Sequence, residues 1–502
     1  MSNMKIGWSE ISITPDKKVS LYGQFAERIS EYVEKPLTVT AFAVECGGEQ
    51  AVIVSCDLAE TGMKLVRAVR EKLKDNTVGL DPEKVLLCAI HTHTGFDPCS
   101  AWFTEETDGL FKSLQKILLD ELGGGYTYVE TAAAADNTEV ATSEECFAIL
   151  TEKIPQAVLE AWNSRKPGSF ANAFERAPVG MCRRVDYSDG TAQMWGDSNT
   201  AVFTELEGGN DSGVEMLFCF GENREVTGVV LNVACPAQCV QHRNFVSPDY
   251  WGETKKLLRE RFGDGIFVLP LCGAAGDQCP VDLVRWVNPE TEVNDPNIIR
   301  HNPVVRKADP SMFDLSGMRK AGKRVADAVS TAWEEGVGAL QADVPLIHHV
   351  HRMEIPLRRA TLADAAEARN GIRAYFRGKE KTINYIDLAN VQKYLGVLQR
   401  MEVQEKFETV EAEVHIIRLG SIAIATSPFE LYLAFGNQIR ARAACEQTFL
   451  VQLCCGSEGY LPTEKAEKHG HYSAFIASCQ CGHEGGDLLV RQTLKDLNAM
   501  FD

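Results

Sequence analysis

Two histidines separated by one residue, in His91-Thr92-His93-Thr94-Gly95, are the sharpest chemical feature of the chain. On an extended backbone, residues at i and i+2 project to the same side, so both rings can face one cavity. Neutral imidazole is a common zinc ligand, and a second ring beside it can shuttle protons. A pair of loop histidines making structural hydrogen bonds is the alternative. Cys235, in Asn232-Val-Ala-Cys-Pro236, offers either a soft thiolate ligand for zinc or inert packing ahead of a proline.

Gly273-Ala-Ala-Gly276 leads into Asp277-Gln-Cys-Pro280. So little side-chain bulk leaves room for a backbone to approach a ligand, although a tight strand-to-loop turn would read the same way. Asp277 can then orient a ligand, and Cys279 can serve as nucleophile or polar contact where its surroundings favour thiolate. Glu430, after Pro428-Phe429, is expected to open a helix, whose dipole favours a carboxylate there. Tyr460 and Tyr472 lie in a glycine-bearing stretch. Their hydroxyls can ligate a metal or donate to a developing oxyanion, or simply pack on the core. Arg183-Arg184 can orient a carbonyl or carboxylate, a surface salt bridge being the plain alternative. Cys479-Gln-Cys481-Gly-His483 is spaced too tightly for an ordinary structural zinc site and reads as loop.

Three strand–helix–strand patterns would position these residues. Ala51–Cys56 and Val85–Ile90 are buried-strand runs flanking a helix with Leu65, Val66, Val69 and Leu73 on one face. Val226–Ala234, Tyr250–Phe262 and Ile266–Leu271 repeat the pattern, as do Ile422–Thr426, Leu431–Ala444 and Phe449–Leu453. Each unit implies a right-handed crossover between parallel strands, and ligands bind outside the carboxyl ends of such strands. His91, Cys235, Asp277, Glu430 and Tyr460 all follow strands in this reading. Residues 315–335 and 360–408 carry helical periodicity, and His348–Leu357 and Glu411–Leu419 read as strands, the second turning at Gly420 into Ser421–Thr426. Asn288–Asp314, rich in Asn, Pro and Asp, reads as a surface loop. The expected class is α/β, with mixed sheets built from several strand–helix–strand units in one large domain over residues 1–502.

The net charge of −19 disfavours nucleic acid as a partner, because phosphate binding needs clustered Lys and Arg. No apolar run is long enough for a transmembrane segment. The first residues lead into strand-like sequence without an apolar signal region, so a cytoplasmic location is expected. Sixteen cysteines in such a chain point to reduced core thiols, ligands or nucleophiles rather than a disulfide scaffold.

Taken in order, these motifs resemble the neutral/alkaline non-lysosomal ceramidases, a zinc-dependent amidase family. The resemblance runs from Ile11-Ser-Ile-Thr-Pro15 to Gly485-Gly-Asp-Leu-Leu-Val490. His91-Thr-His-Thr-Gly95 is similar to the family's THTHSG signature. That match implies His91 as zinc ligand and His93 as catalytic neighbour, with Glu430 and Tyr460 as the carboxylate and tyrosine ligands. It also implies Tyr472 as the oxyanion-contacting tyrosine and Arg183 as the active-site arginine. Two positions depart from the pattern. Cys235 stands where the family has a zinc-binding His before Pro, and Gly276-Asp-Gln-Cys-Pro280 stands where it has GDVSP with an active-site Ser. The family's C-terminal immunoglobulin-like domain and signal peptide are expected to be absent. The resemblance implies a zinc-dependent hydrolase of an amide-type bond, acting on a small-molecule amide or lipid-like substrate. In it, zinc is held by His91, Cys235, Glu430 and Tyr460, and His93, Cys279, Arg183 and Tyr472 serve the chemistry. A catalytically silent, ligand-binding homologue without metal is the competing expectation.

Overall fold

The computed structural model describes residues 4–24, 27–75, 79–96, 110–129, 138–285 and 313–502. All three strand–helix–strand units are present, and the two strands of each pair in parallel. Glu49–Cys56 lies beside Val85–Ala89, Val226–Val233 beside Phe267–Cys272, and Ile422–Thr426 beside Gln447–Val451. The connecting helices are Met63–Lys74, Tyr250–Phe262 and Leu433–Arg442. The first buries Leu65, Val66, Val69 and Leu73, each worth about 1.5–3 kcal/mol of hydrophobic burial.

Antiparallel strands extend every parallel pair, so the sheets are mixed. Thr38–Cys46 pairs antiparallel with both Lys5–Ser12 and Glu49–Cys56. Its hairpin turns at Gly47-Gly48, both at positive φ (62° and 88°), the backbone that a two-residue turn between twisted strands demands. The middle sheet adds Ser169–Arg176 and Gly213–Phe220. In the last sheet Leu346–Pro356 pairs with Thr409–Leu419, which turns back through Gly420 into Ile422–Thr426. The helical stretch predicted over 360–408 is two helices, Leu362–Phe376 and Tyr385–Val403. They break at the Gly378 turn and at Thr382–Ile383, which pairs with Thr127–Tyr128. With Leu110–Leu122 they form a small core of their own around Leu118, Ile372, Val391 and Leu395. The loop expected over Asn288–Asp314 lies outside the described residues up to 312.

The carboxyl ends of the three units are bonded to one another. Ala89 N donates to Leu453 O (3.1 Å), joining the first unit to the last, and Gln452 N donates to Cys272 O (3.0 Å), joining the last to the middle. Ser55 Oγ donates to Pro270 O (2.6 Å) and Asn232 Nδ2 to Leu450 O (2.8 Å), both buried. Three strand ends that are separate in sequence thus share one edge. Among the described residues no helix is long and apolar enough to cross a membrane.

Candidate active site

His91 leaves the strand Val85–Ala89 with a left-handed backbone (φ 60°), a conformation costing a non-glycine residue about 1–3 kcal/mol. Its Nδ1 lies 2.7 Å from Ala59 O, and a carbonyl only accepts, so the ring carries a proton on Nδ1. In the neutral ring Nε2 is therefore a lone pair. It stands 3.3 Å from Glu430 Oε2 and 3.3 Å from His93 Nε2.

The tautomer of His93 follows from its neighbours. Arg183 Nη1 donates to Gln238 Oε1 (3.3 Å), which turns the Gln238 amide nitrogen towards His93 Nε2 at 2.9 Å. His93 Nε2 thus accepts. Burial, then His91, Arg28 and Arg183, holds its pKa well below the ordinary value, so the ring is neutral at neutral pH. Burial also disfavours charge on His91, but the Glu430 carboxylate outweighs it and raises that ring. His91 Nε2 therefore stands between two electron-rich atoms, His93 Nε2 on one side and Glu430 Oε2 on the other, which are themselves more than 4.8 Å apart. The His91–Glu430 contact accommodates a cation: a proton, or a divalent metal bound by nitrogen and oxygen.

Glu430 arrives by a route that the sequence did not reveal. It sits on a two-residue strand paired in parallel with Tyr460–Leu461, and the helix begins only at Leu433. The expectation that Glu430 opens the helix is corrected: it stands before the helix, on a ladder that brings it level with Tyr460. Gly276 packs against this strand, donating N–H to Leu431 O (2.9 Å), and a Cβ there would lie 2.3 Å from Glu430 O. The room left by Gly273-Ala-Ala-Gly276 is filled here by the Glu430 backbone. Asp277 Oδ1 accepts from Leu433 N (2.9 Å) and so caps that helix.

Arg183, 4% exposed, is the hub of the opposite wall. Its Nη2 donates to Gly276 O (3.0 Å) and to Tyr460 OH (3.3 Å). Burial disfavours this guanidinium, but Tyr460, Glu430, Cys279 and Tyr472 around it outweigh that and raise its pKa. Tyr472 meets Tyr460 edge-on, ring centroids 5.5 Å apart. Arg184, read as part of a basic pair, turns the other way. It is buried, holds Glu207 with both ends of its fork, and donates to Tyr472 O and Gly470 O, fixing the loop that presents Tyr472.

The two departing cysteines stand apart from the histidine–carboxylate group. Cys235 Sγ faces the carbonyls of Val179 (3.7 Å) and Pro236 (3.5 Å), and burial pushes its thiol far up. Among the described residues, the groups of His, Cys, Asp and Glu with all ligand atoms within 4.8 Å of one another are Glu413/His415/Cys455 and Asp186/Glu207/His469. His91, Glu430 and Cys235 do not form a third. Cys279 Sγ donates to Val281 O (3.4 Å) in an apolar cluster with Val185 and Leu283, and burial pushes its thiol up to about 12. That surrounding does not favour a thiolate. The stretch read as loop at Cys479–His483 makes isolated bridges to Gly459 and Leu357 before the helix His483–Ala499.

Three residues at the site carried no signal in the sequence. Gln238 links Arg183 to His93. Arg28 donates to His93 O (2.6 Å), Tyr22 O and Arg243 O, holding the histidine loop. Gly23 (φ 94°) lies flat against His93, where a Cβ would fall 2.5 Å from the ring. None belongs to a periodic or spaced motif, so only the assembled fold exposes them.

Neither a family model nor a curated sequence matches the chain. Solved structures do. A neutral ceramidase from Pseudomonas aeruginosa superposes with TM-score 0.67 at 15% identity, covering 100% of this chain and 75% of that one. A ceramidase complexed with C2 gives 0.67 at 14%, covering 100% and 76%. The chain has the fold of these ceramidases along its whole length, in a single α/β domain.

Proposed function

We propose that the chain is a metal-dependent hydrolase of an amide-type bond in a lipid-like substrate, acting in the manner of a ceramidase. The observation that carries this reading is His91 Nε2 held 3.3 Å from both Glu430 Oε2 and His93 Nε2, with Arg183 bonded to Tyr460 beside them, at the joined strand ends of a ceramidase fold. His91, Glu430 and Tyr460 would hold the metal, with zinc the natural choice for a His, carboxylate and phenol set. Cys235, as the fourth ligand proposed from the sequence, would first have to turn its thiol away from the Val179 and Pro236 carbonyls. A divalent cation there supplies Lewis-acid polarisation of a carbonyl and acidifies water.

The remaining steps belong to the chain's own side chains. His93 is neutral, and once the Gln238 amide gives way at its Nε2, that nitrogen takes a proton from attacking water and returns it to the leaving amine. Arg183 keeps its charge and, with the Tyr472 hydroxyl, stabilises negative charge developing on the carbonyl oxygen. Cys279 would act only behind Arg183, as a protonated thiol and not as a nucleophile.

A catalytically silent, ligand-binding protein is the second reading, favoured by the position of Cys235 outside the histidine–carboxylate group. Elemental analysis of protein purified without chelator, paired with hydrolysis assays on N-acyl sphingoid and simpler fatty-acyl amides, separates the two. Stoichiometric divalent metal with chelator-sensitive amide cleavage supports the hydrolase. Absence of metal after incubation with zinc, together with no cleavage, overturns it.

A further inference from the structure

Behind the candidate site, at the seam between the first and last units, two buried thiols face each other. Cys88 lies on the strand Val85–Ala89, three residues before His91, and Cys454 lies just beyond the strand Gln447–Val451, six residues before Tyr460. Their Sγ atoms are 3.4 Å apart, and the two residues form an isolated antiparallel bridge. The bonds around that bridge define its geometry. Ala89 N donates to Leu453 O (3.1 Å) and Cys455 N to Leu87 O (2.9 Å), so Cys88 and Cys454 are the non-hydrogen-bonded pair between them. Such pairs have Cα atoms about 4.5 Å apart, at the short end of the ~4.4–6.8 Å that a disulfide spans.

The backbone around Cys454 is built to hold this placement. Leu453 and Cys455, on either side of it, are both left-handed (φ 51° each), although neither is glycine. Non-glycine residues keep that conformation only where the surroundings enforce it. The neighbouring thiol of Cys455 accepts from Leu87 N (3.4 Å) and Arg70 Nη2 (3.8 Å) and also meets the side chains of Cys454 and His415, which makes Cys455 the competing partner. Cys88 is 1% exposed and Cys454 is fully buried.

We propose that Cys88 and Cys454 are a disulfide-forming pair, a covalent staple between the segments that carry His91 and Tyr460, closed when the chain folds in an oxidising thiol buffer. Closure is a folding-time event, because burial in the finished fold shields both thiols from oxidant and disfavours their ionised forms. With oxidised glutathione as the oxidant, one cysteine thiolate attacks a glutathione sulfur, forming a mixed disulfide and releasing one glutathione thiolate. The second cysteine thiolate attacks the mixed disulfide at the protein sulfur and releases the other glutathione. Two protein thiols lose two electrons and two protons, and one oxidised glutathione becomes two reduced glutathiones. The pair lies 366 positions apart in the chain, so the bond closes a very long loop of the unfolded ensemble.

The test is to express the full chain in host cytoplasms with oxidised and with reduced glutathione pools, alkylate under denaturing conditions, digest, and fragment the cross-linked peptides. Fragmentation is needed because Cys455 shares a peptide with Cys454. The expected result is a Cys88–Cys454 link in the oxidised host only, lost in Cys88→Ser and Cys454→Ser and kept in Cys455→Ser. The linked protein should also have the higher Tm, a difference that reductant under denaturing conditions removes. A link that is absent in the oxidised host, that persists in Cys454→Ser, or that joins Cys454 to Cys455 overturns the proposal. Should the serine variants not accumulate, the wild-type fragmentation decides alone.

Discussion

His91 Nε2 and Glu430 Oε2 lie 3.3 Å apart, each an acceptor when His91 is neutral, because the proton of that ring is committed to Ala59 O through Nδ1. Two lone pairs at that distance repel unless a cation sits with them. The contact therefore holds a proton or, on the proposed reading, the metal.

Removing either partner should remove the metal. His91→Ala and Glu430→Gln are expected to purify with far less zinc than the parent chain. Even changes in the groups that hydrogen-bond to a ligand cost about 10–100-fold in affinity, and loss of a direct ligand costs more. Metal content by elemental analysis and zinc titration by calorimetry check this. Unchanged stoichiometry in both variants would place the metal elsewhere.

Arg183 should be irreplaceable by lysine. Its fork reaches Gln238 Oε1, Gly276 O and Tyr460 OH together, which a single ammonium does not. Arg183→Lys and Arg183→Met are both expected to lower kcat by about 100–1,000-fold, with a smaller change in KM. Arg183→Lys should also free the Gln238 amide, so the pH profile set by His93 should shift in both variants.

Gly276→Ala tests whether the Glu430 strand depends on close backbone approach. The added methyl would fall 2.3 Å from Glu430 O, and backbone cannot swing aside as a side chain can. A loss of about 1–3 kcal/mol in stability is expected, together with weakened metal binding. Thermal denaturation and zinc affinity should therefore fall together; a stable variant with normal affinity would refute the packing argument.

A buried ion network away from the site predicts a pH dependence of stability. Gln50 O only accepts, so His348 Nδ1 donates to it (3.0 Å) and His348 Nε2 accepts from His415 Nδ1 (2.9 Å). His415 Nε2 faces Glu413 Oε1 (2.9 Å), and Arg70 grips the same carboxylate at 2.7 and 3.0 Å. His415 thus donates from both nitrogens, as an imidazolium. Burial opposes both charges, but His415 and Arg70 outweigh it for Glu413, whose pKa is lowered, and Cys455 and Glu413 outweigh it for His415, whose pKa is raised. The Glu413 contribution is therefore present above the unfolded value of ~4.3 and is lost as pH falls through the folded one. The His415 contribution is complete below ~6.5 and is lost as pH rises through its raised value. His348, held neutral by burial and His415 with its pKa down to about 2, adds destabilisation as pH falls below ~6.5. Glu413→Gln should cost about 3–5 kcal/mol near neutral pH, with the deficit shrinking at both acid and alkaline ends. Denaturant unfolding across pH measures it; a deficit that does not vary with pH would refute the network.

The architecture was largely legible in the sequence because its signals are local. Apolar runs, helical faces and the turn at Gly420 lie within a few residues of each other, and the parallel pairing of all three units followed from strand–helix–strand order. Glu430 shows where that legibility stops. A carboxylate just ahead of a helix looks like a helix-start residue, and only its ladder with Tyr460 places it beside His91.

What the sequence determined by itself was which residue types stand at which strand ends, because periodicity and turn chemistry act over short range. Which of those residues meet was decided by the tertiary structure. The seam bonds from Ala89 to Leu453 and from Gln452 to Cys272 bring distant strand ends to one edge, and their register sets distances to within an ångström. That register set His91 between His93 and Glu430 and linked His93 through Gln238 to Arg183. It left Cys235 facing backbone carbonyls and set Cys88 against Cys454.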